Sequence, residues 1–151
     1  MSRVRLSVLA GVVVVFMASA YLYAQDVRRY IAPRTAADSG QLPFSGAVQV
    51  GKTLYLSGRV GLDENGRVPD TAEAETRRLL DSIQSTLKQA GFTMDDLVFV
   101  QVFCSDVKHY DAFNGVYSTY FKKEFPARAF IGSGTLLFNA RFEMQGIAVQ
   151  R

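Results

Sequence analysis

Glu124-Phe125-Pro126-Ala127-Arg128-Ala129-Phe130-Ile131, followed after a Gly132-Ser133-Gly134 break by Arg141-Phe142-Glu143-Met144-Gln145-Gly146-Ile147-Ala148-Val149, is the stretch whose reading decides the fold. Pro126 cannot continue a helix, and the residue before it is pushed towards extended backbone, so the chain turns sharply just ahead of Arg128. The apolar run after Arg128 then reads as a strand. In the closing strand Phe142, Met144, Gly146 and Ala148 share one face, while Glu143, Gln145 and Ile147 share the other. A guanidinium at the mouth of such a strand is a planar five-donor fork on a rigid base, suited to two-point recognition of a carboxylate. An arginine in a surface ion pair is the plain alternative.

Working outward, Leu97 to Cys104 is apolar on both alternating sets and reads as a central strand covered on both faces. Asp106 opens a helix after it, in which Tyr110, Phe113, Tyr117 and Tyr120 recur at helical spacing as a core stripe, with Asn114 beside them. Upstream, Asp70, with Glu73 three positions later, marks a helix start. Thr76, Leu80, Ile83, Leu87 and Ala90 form its apolar stripe, Leu79 widens it, and Gly91 ends it. Glu73 and Glu75 suit the positive end of that helix. Further upstream, Ala47-Val48-Gln49-Val50, Gly51-Lys52 and Thr53-Leu54-Tyr55-Leu56-Ser57 read as a hairpin with a type II′ turn. Gly58 and Gly61 fall just past it, and Asp63-Glu64-Asn65-Gly66 makes a second turn.

The order strand, strand, helix, strand, helix, strand, strand predicts an α+β domain, a mixed sheet with both helices on one face. The other face is too apolar to stay wet, which predicts packing against further copies of the chain.

Residues 1–24 stand apart from this domain. Arg3 and Arg5 lead into an apolar run over residues 6–17 followed by Ala18-Ser19-Ala20, the pattern of an export signal cleaved after Ala20 or Ala24. Export would place the protein in a bacterial periplasm or outside the cell. A retained anchor over residues 6–24 is the competing reading, because 19 residues can span a hydrocarbon core of about 30 Å. Residues 25–42 read as an amino-terminal arm that can hold one edge strand at Tyr30-Ile31, and residues 43–151 as the domain itself.

At 151 residues, 48% hydrophobic and 21% charged, the chain holds enough apolar material for one core. Loss of Arg3 and Arg5 leaves 15 basic against 14 acidic residues, and no basic cluster is interleaved with aromatics, which argues against a nucleic-acid surface. Cys104 is the single cysteine, so no internal disulfide forms, and with His109 the single histidine a structural zinc site is not expected.

Across residues 43–149 the chain resembles the RidA/YjgF family of reactive-intermediate deaminases. The matching pieces are Phe44-Ser45-Gly46-Ala47-Val48, Gly51-Lys52-Thr53-Leu54-Tyr55-Leu56-Ser57-Gly58, Glu75-Thr76-Arg77, residues 96–102, Asn114-Gly115-Val116-Tyr117 and Pro126-Ala127-Arg128. The resemblance implies a chorismate-mutase-like homotrimer with clefts between subunits. It also implies hydrolysis of 2-imino acids to 2-oxo acids and ammonia, without metal or organic cofactor. It assigns the substrate carboxylate to Arg128 and puts Ser57, Gly58 and Asn114 in the same cleft, with Phe130 a further lining candidate.

Two departures stand out. Phe44 occupies the place of a family tyrosine, and Gln145 that of a family glutamate thought to orient or activate water. An amide takes up no proton at neutral pH, so general-base help typically worth about a hundredfold is expected to be missing at Gln145. Glu143 shares its face but lies about 6 to 7 Å along the strand. The expectation is therefore an imine hydrolase, slowed or redirected in substrate; the alternative is a small-carboxylate-binding protein that has lost the chemistry.

Overall fold

The computed structural model describes residues 27–31 and 42–150. The expected export signal or anchor, its cleavage site and most of the amino-terminal arm lie outside the described residues. What is described of the arm is an edge strand, β1 (Arg28–Ile31). Then follow β2 (Ala47–Val50), β3 (Thr53–Val60), helix α1 (Ala72–Ala90), β4 (Leu97–Cys104), helix α2 (Tyr110–Tyr117), β5 (Ala127–Gly132) and β6 (Phe142–Val149). The six strands form one sheet in the order β1-β2-β3-β6-β4-β5. All pairs are antiparallel except β4 with β5, whose connection is the crossover through α2, so the sheet is mixed as expected.

Both helices lie on one face. The stripe of α1 packs Leu79, Leu80, Ile83 and Leu87, all fully buried, against Leu54 of β3, Val100 and Val102 of β4, and Phe142 and Met144 of β6. The hairpin forms with Val50 opposite Thr53, and Gly51 takes φ +57°, which a residue without Cβ adopts at no cost. Arg29 of β1 reaches the far end of α1, its Nη2 donating to Gln89 O at 3.0 Å, where a cation meets the unsatisfied carbonyls of a helix end.

Three expectations need correction. The helix cap is Thr71 rather than Asp70: the Thr71 hydroxyl accepts from Ala74 N at 3.2 Å, while Asp70 offers its carbonyl to Arg141 Nη2. Gly58 does not lie past its strand. β3 runs on to Val60 through a bulge at Ser57-Gly58, and only Gly61 follows it. β4 is central in hydrogen bonding, yet within one chain only the face of Val100, Val102 and Cys104 is covered; Phe99, Gln101 and Phe103 look onto an open face with the exposed Tyr55 of β3. Glu73 and Glu75 do lie in the first turn of α1 as expected, and Glu75 carries a further role. It is fully buried, and its Oε1 accepts from Arg141 N at 2.7 Å and Phe142 N at 3.0 Å, while Oε2 meets Arg141 Nη1 at 2.8 Å. One carboxylate thus ties the start of α1 to the start of β6.

Candidate functional site

Arg128 sits second in the edge strand β5, opposite Val100 of β4, so its side chain rises on the helix-covered face. There it meets α2. Nη2 donates to Asn114 Oδ1 at 2.8 Å, and the guanidinium carbon lies 4.7 Å from the centroid of the Tyr117 ring, 5.7 Å from Phe130, 5.8 Å from Tyr110 and 5.9 Å from Phe113. The rings hold each other: Phe113 stacks on Tyr117 at 5.5 Å, and Tyr110 stands edge-on to Phe130 at 4.9 Å. A guanidinium boxed by π faces keeps its charge at little solvation cost, because the rings present their negative faces to it. Only one of its N–H groups is given to Asn114, which leaves a fork for a two-oxygen anion.

The spacing that marks Tyr110, Phe113 and Tyr117 as a core stripe is the spacing that aims them at Arg128. Phe113 and Tyr117 are indeed buried, but Tyr110 is 43% exposed, and the buried Tyr117 hydroxyl has no hydrogen-bond partner among the described residues. Burial pushes the Tyr117 phenol up to about 12, with the neighbouring Arg128 pulling the other way. That these rings enclose Arg128 was not legible in local spacing, since the contact joins β5 to α2 across the crossover.

The second group lies on the opposite, open face. Gln145 Nε2 donates to Gln101 Oε1 at 2.7 Å, a pairing set by the register that puts the two residues opposite each other on β6 and β4. At the β3 bulge the Ser57 hydroxyl donates to Ser45 O at 2.6 Å, and Ser57 N to Gly46 O at 3.2 Å, which latches the segment carrying the half-exposed Phe44 to the strand. Gly58 makes room for Glu143: a Cβ there would stand 2.1 Å from Glu143 Oε1. Glu143 lies on the face of Gln145, as the alternation along β6 led one to expect, whereas Gln101 on the neighbouring β4 was not expected here.

One chain therefore brings Arg128, Asn114 and Phe130 together, and separately Ser57, Gly58 and Gln145 with Phe44 close in sequence to the same strand pair. It does not bring the two groups together. Gln145, Gln101 and Ala129 form one row across β6, β4 and β5, and Arg128, one residue along, projects from the other side of the sheet. Cys104 is buried, its thiol donating to Asp106 O at 3.0 Å, and burial pushes the thiol up, which favours the protonated thiol of a small core residue. Among the described residues, no group of three or more His, Cys, Asp or Glu side chains is placed to hold a metal ion.

Comparison with known proteins gives the lineage. The family model described as Endoribonuclease L-PSP matches residues 34–150. The mouse (Mus musculus) protein 2-iminobutanoate/2-iminopropanoate deaminase is 36% identical over 127 residues, covering 83% of this chain and 94% of that one. A RutC family protein of Sulfurisphaera tokodaii is 38% identical over 104 residues, 68% of this chain and 83% of its own. Among solved structures, RidA from an Antarctic Psychrobacter superposes with a TM-score of 0.72 at 25% identity, covering 80% of this chain and 98% of that one. The E. coli YjgF gene product superposes with a TM-score of 0.74 at 28% identity, covering 82% and 99%. With the sheet order, the two helices on one face and the Pro126-Ala127-Arg128 turn all in place, the chain belongs to the endoribonuclease L-PSP family, that of RidA and YjgF.

Proposed function

We propose that this protein hydrolyses 2-imino acids to 2-oxo acids and ammonia, working as a homotrimer in which the open sheet face of one subunit meets the Arg128 edge of the next. The observation that carries the reading is the Arg128 fork, held by Asn114 Oδ1 at 2.8 Å and boxed by rings, with donors to spare for a carboxylate. Similarity to proteins named 2-iminobutanoate/2-iminopropanoate deaminase supports the same class of reaction. The geometry supports this reading: in a single copy the sheet separates Gln145 from Arg128, so a cleft lined by both draws them from different copies. The half-exposed apolar side chains on the open face, Tyr55 among them, supply the reason to associate.

In the reaction Arg128 binds and orients the substrate carboxylate, so that the adjacent C2 is presented in one pose. Water adds its oxygen to C2 while one of its protons passes to the imine nitrogen, and the carbinolamine then collapses as its hydroxyl proton moves to that nitrogen, the C–N bond breaks and the C=O bond forms, releasing ammonia. The Gln145 amide can orient that water by hydrogen bonding but takes up no proton.

A second reading, a binding protein for small 2-oxo or 2-imino acids, is favoured by one observation: Gln145 is spent on Gln101. The test is loss of 2-iminopropanoate, generated in situ, measured against its spontaneous rate. Faster loss with the native protein, abolished in Arg128→Ala, supports the hydrolase. Loss at the spontaneous rate, with pyruvate still bound, leaves the binding protein.

A further inference from the structure

We propose that the cleft prefers 2-imino acids with large apolar or aromatic side chains over the small ones with one- and two-carbon tails; this rests on the hydrolase reading above and names its substrate class. The argument starts from which rings of the Arg128 box the fold leaves uncovered. Phe113 and Tyr117 are core residues, shielded by α1 and the sheet. Tyr110 and Phe125 are not: they are 43% and 59% exposed. Tyr110 stands beside the clamp, its ring 5.8 Å from the guanidinium carbon, and Phe125 continues the aromatic surface one ring further out, stacked at 6.3 Å on the Tyr117 ring that lies 4.7 Å from that carbon. Phe130, half-buried, closes the gap between Tyr110 and Phe113 at 4.9 and 5.5 Å.

A carboxylate seated on Arg128 therefore has exposed aromatic faces within reach of whatever is attached to its C2. Large aromatic rings held in water next to a built charge clamp are the usual composition of a site that fixes a polar head and buries an apolar tail. A methyl group uses little of that surface. Each further buried methylene adds about fourfold to affinity, and a phenyl group adds ring-on-ring contact as well. Discrimination of at least about tenfold between a benzyl or isobutyl tail and a methyl tail is what such a surface provides.

The experiment uses the native full chain and imines made in situ by an amino-acid oxidase from alanine, leucine and phenylalanine, each followed against its spontaneous loss. The expected result is a kcat/KM at least about tenfold higher for the leucine- and phenylalanine-derived imines, with Tyr110→Ala and Phe125→Ala each collapsing that ratio towards one and Tyr110→Phe keeping it. Calorimetry with phenylpyruvate against pyruvate reads the same preference without chemistry. Equal or reversed preference in both measurements overturns the proposal while leaving the hydrolase reading standing. No acceleration for any imine overturns the hydrolase reading, and the phenylpyruvate-to-pyruvate affinity ratio then still decides whether the rings select the tail.

Discussion

Asn114 Oδ1 accepts a hydrogen bond from Arg128 Nη2 at 2.8 Å, and this one contact fixes the edge strand β5 to the middle of α2. It also makes the clamp sensitive to charge. Asn114→Asp would turn the acceptor into a resident anion that occupies the fork a substrate carboxylate needs. Binding of pyruvate or phenylpyruvate should fall by at least about tenfold more in Asn114→Asp than in Asn114→Ala, by calorimetric titration. A smaller loss in the aspartate variant would mean that the ligand does not use Arg128.

Arg128→Lys should weaken the same ligands nearly as much as Arg128→Ala. An ammonium is a point charge; it forms neither the two parallel bonds to a carboxylate nor the same contact of a delocalised guanidinium with the Tyr117 and Phe113 rings. Affinity retained in Arg128→Lys would reduce the clamp to a simple positive charge.

Glu75 and Arg141 form the structural keystone. Glu75→Ala leaves Arg141 without its counter-ion and the backbone N–H groups of Arg141 and Phe142 without an acceptor, so urea unfolding should show a loss of about 3 to 5 kcal/mol. The sequence carried a hint. Glu75 precedes Thr76 and Leu79 on the apolar stripe of α1, and a carboxylate on a buried stripe needs a cation; what could not be read was that the cation sits 66 residues away in the chain. Most of the architecture was legible because it is periodic: the hairpin, both helix stripes and the alternation of β6 all follow from local spacing. The rest of the site was not, because it depends on register. That Gln145 faces Gln101, that Arg128 turns towards α2 rather than towards Gln145, and that Glu143 lies over Gly58 are set by which strands neighbour which.

Two glycines of similar appearance in sequence should behave differently. At Gly61 an added Cβ meets the carbonyl oxygen of Glu75 at 2.2 Å, a backbone atom at the start of α1 that cannot yield without moving the helix. At Gly58 it meets the tip of the Glu143 side chain, which can swing away. Gly61→Ala should therefore cost about 1 to 3 kcal/mol and Gly58→Ala less than about 1 kcal/mol, measured by denaturant midpoint at constant slope.

The Tyr117 phenol, pushed up to about 12 by burial, sets an alkaline limit. Its folded value lies above the ordinary 10, so the folded protein holds that proton more tightly than the unfolded chain does. Its contribution is fully present below about pH 10 and is lost as the pH rises towards 12. Phenolate absorbance should show a late-titrating group that is missing in Tyr117→Phe, and the variant should lose less stability than the native protein between pH 10 and 12.

Gln145 is where substitution tests the chemistry itself. Its amide donates to Gln101 Oε1 at 2.7 Å, and Gln101 carries both a donor and an acceptor on its own amide. In Gln145→Glu the Gln101 side chain can turn to offer its N–H₂ to the new carboxylate, so the substitution keeps the pair and adds a group able to take a proton from water. If a general base is the part the native site lacks, hydrolysis of in-situ imines should rise at least about tenfold, and towards a hundredfold if nothing else is missing. A rise confined to the Phe44→Tyr, Gln145→Glu double variant would assign part of the deficit to the hydroxyl absent at Phe44. Because the clamp is untouched, affinity for 2-oxo acids should stay within about threefold of native in either case, which separates a gain in chemistry from a gain in binding. No gain in either variant, with the clamp still binding, would favour a protein that holds these acids without hydrolysing their imines.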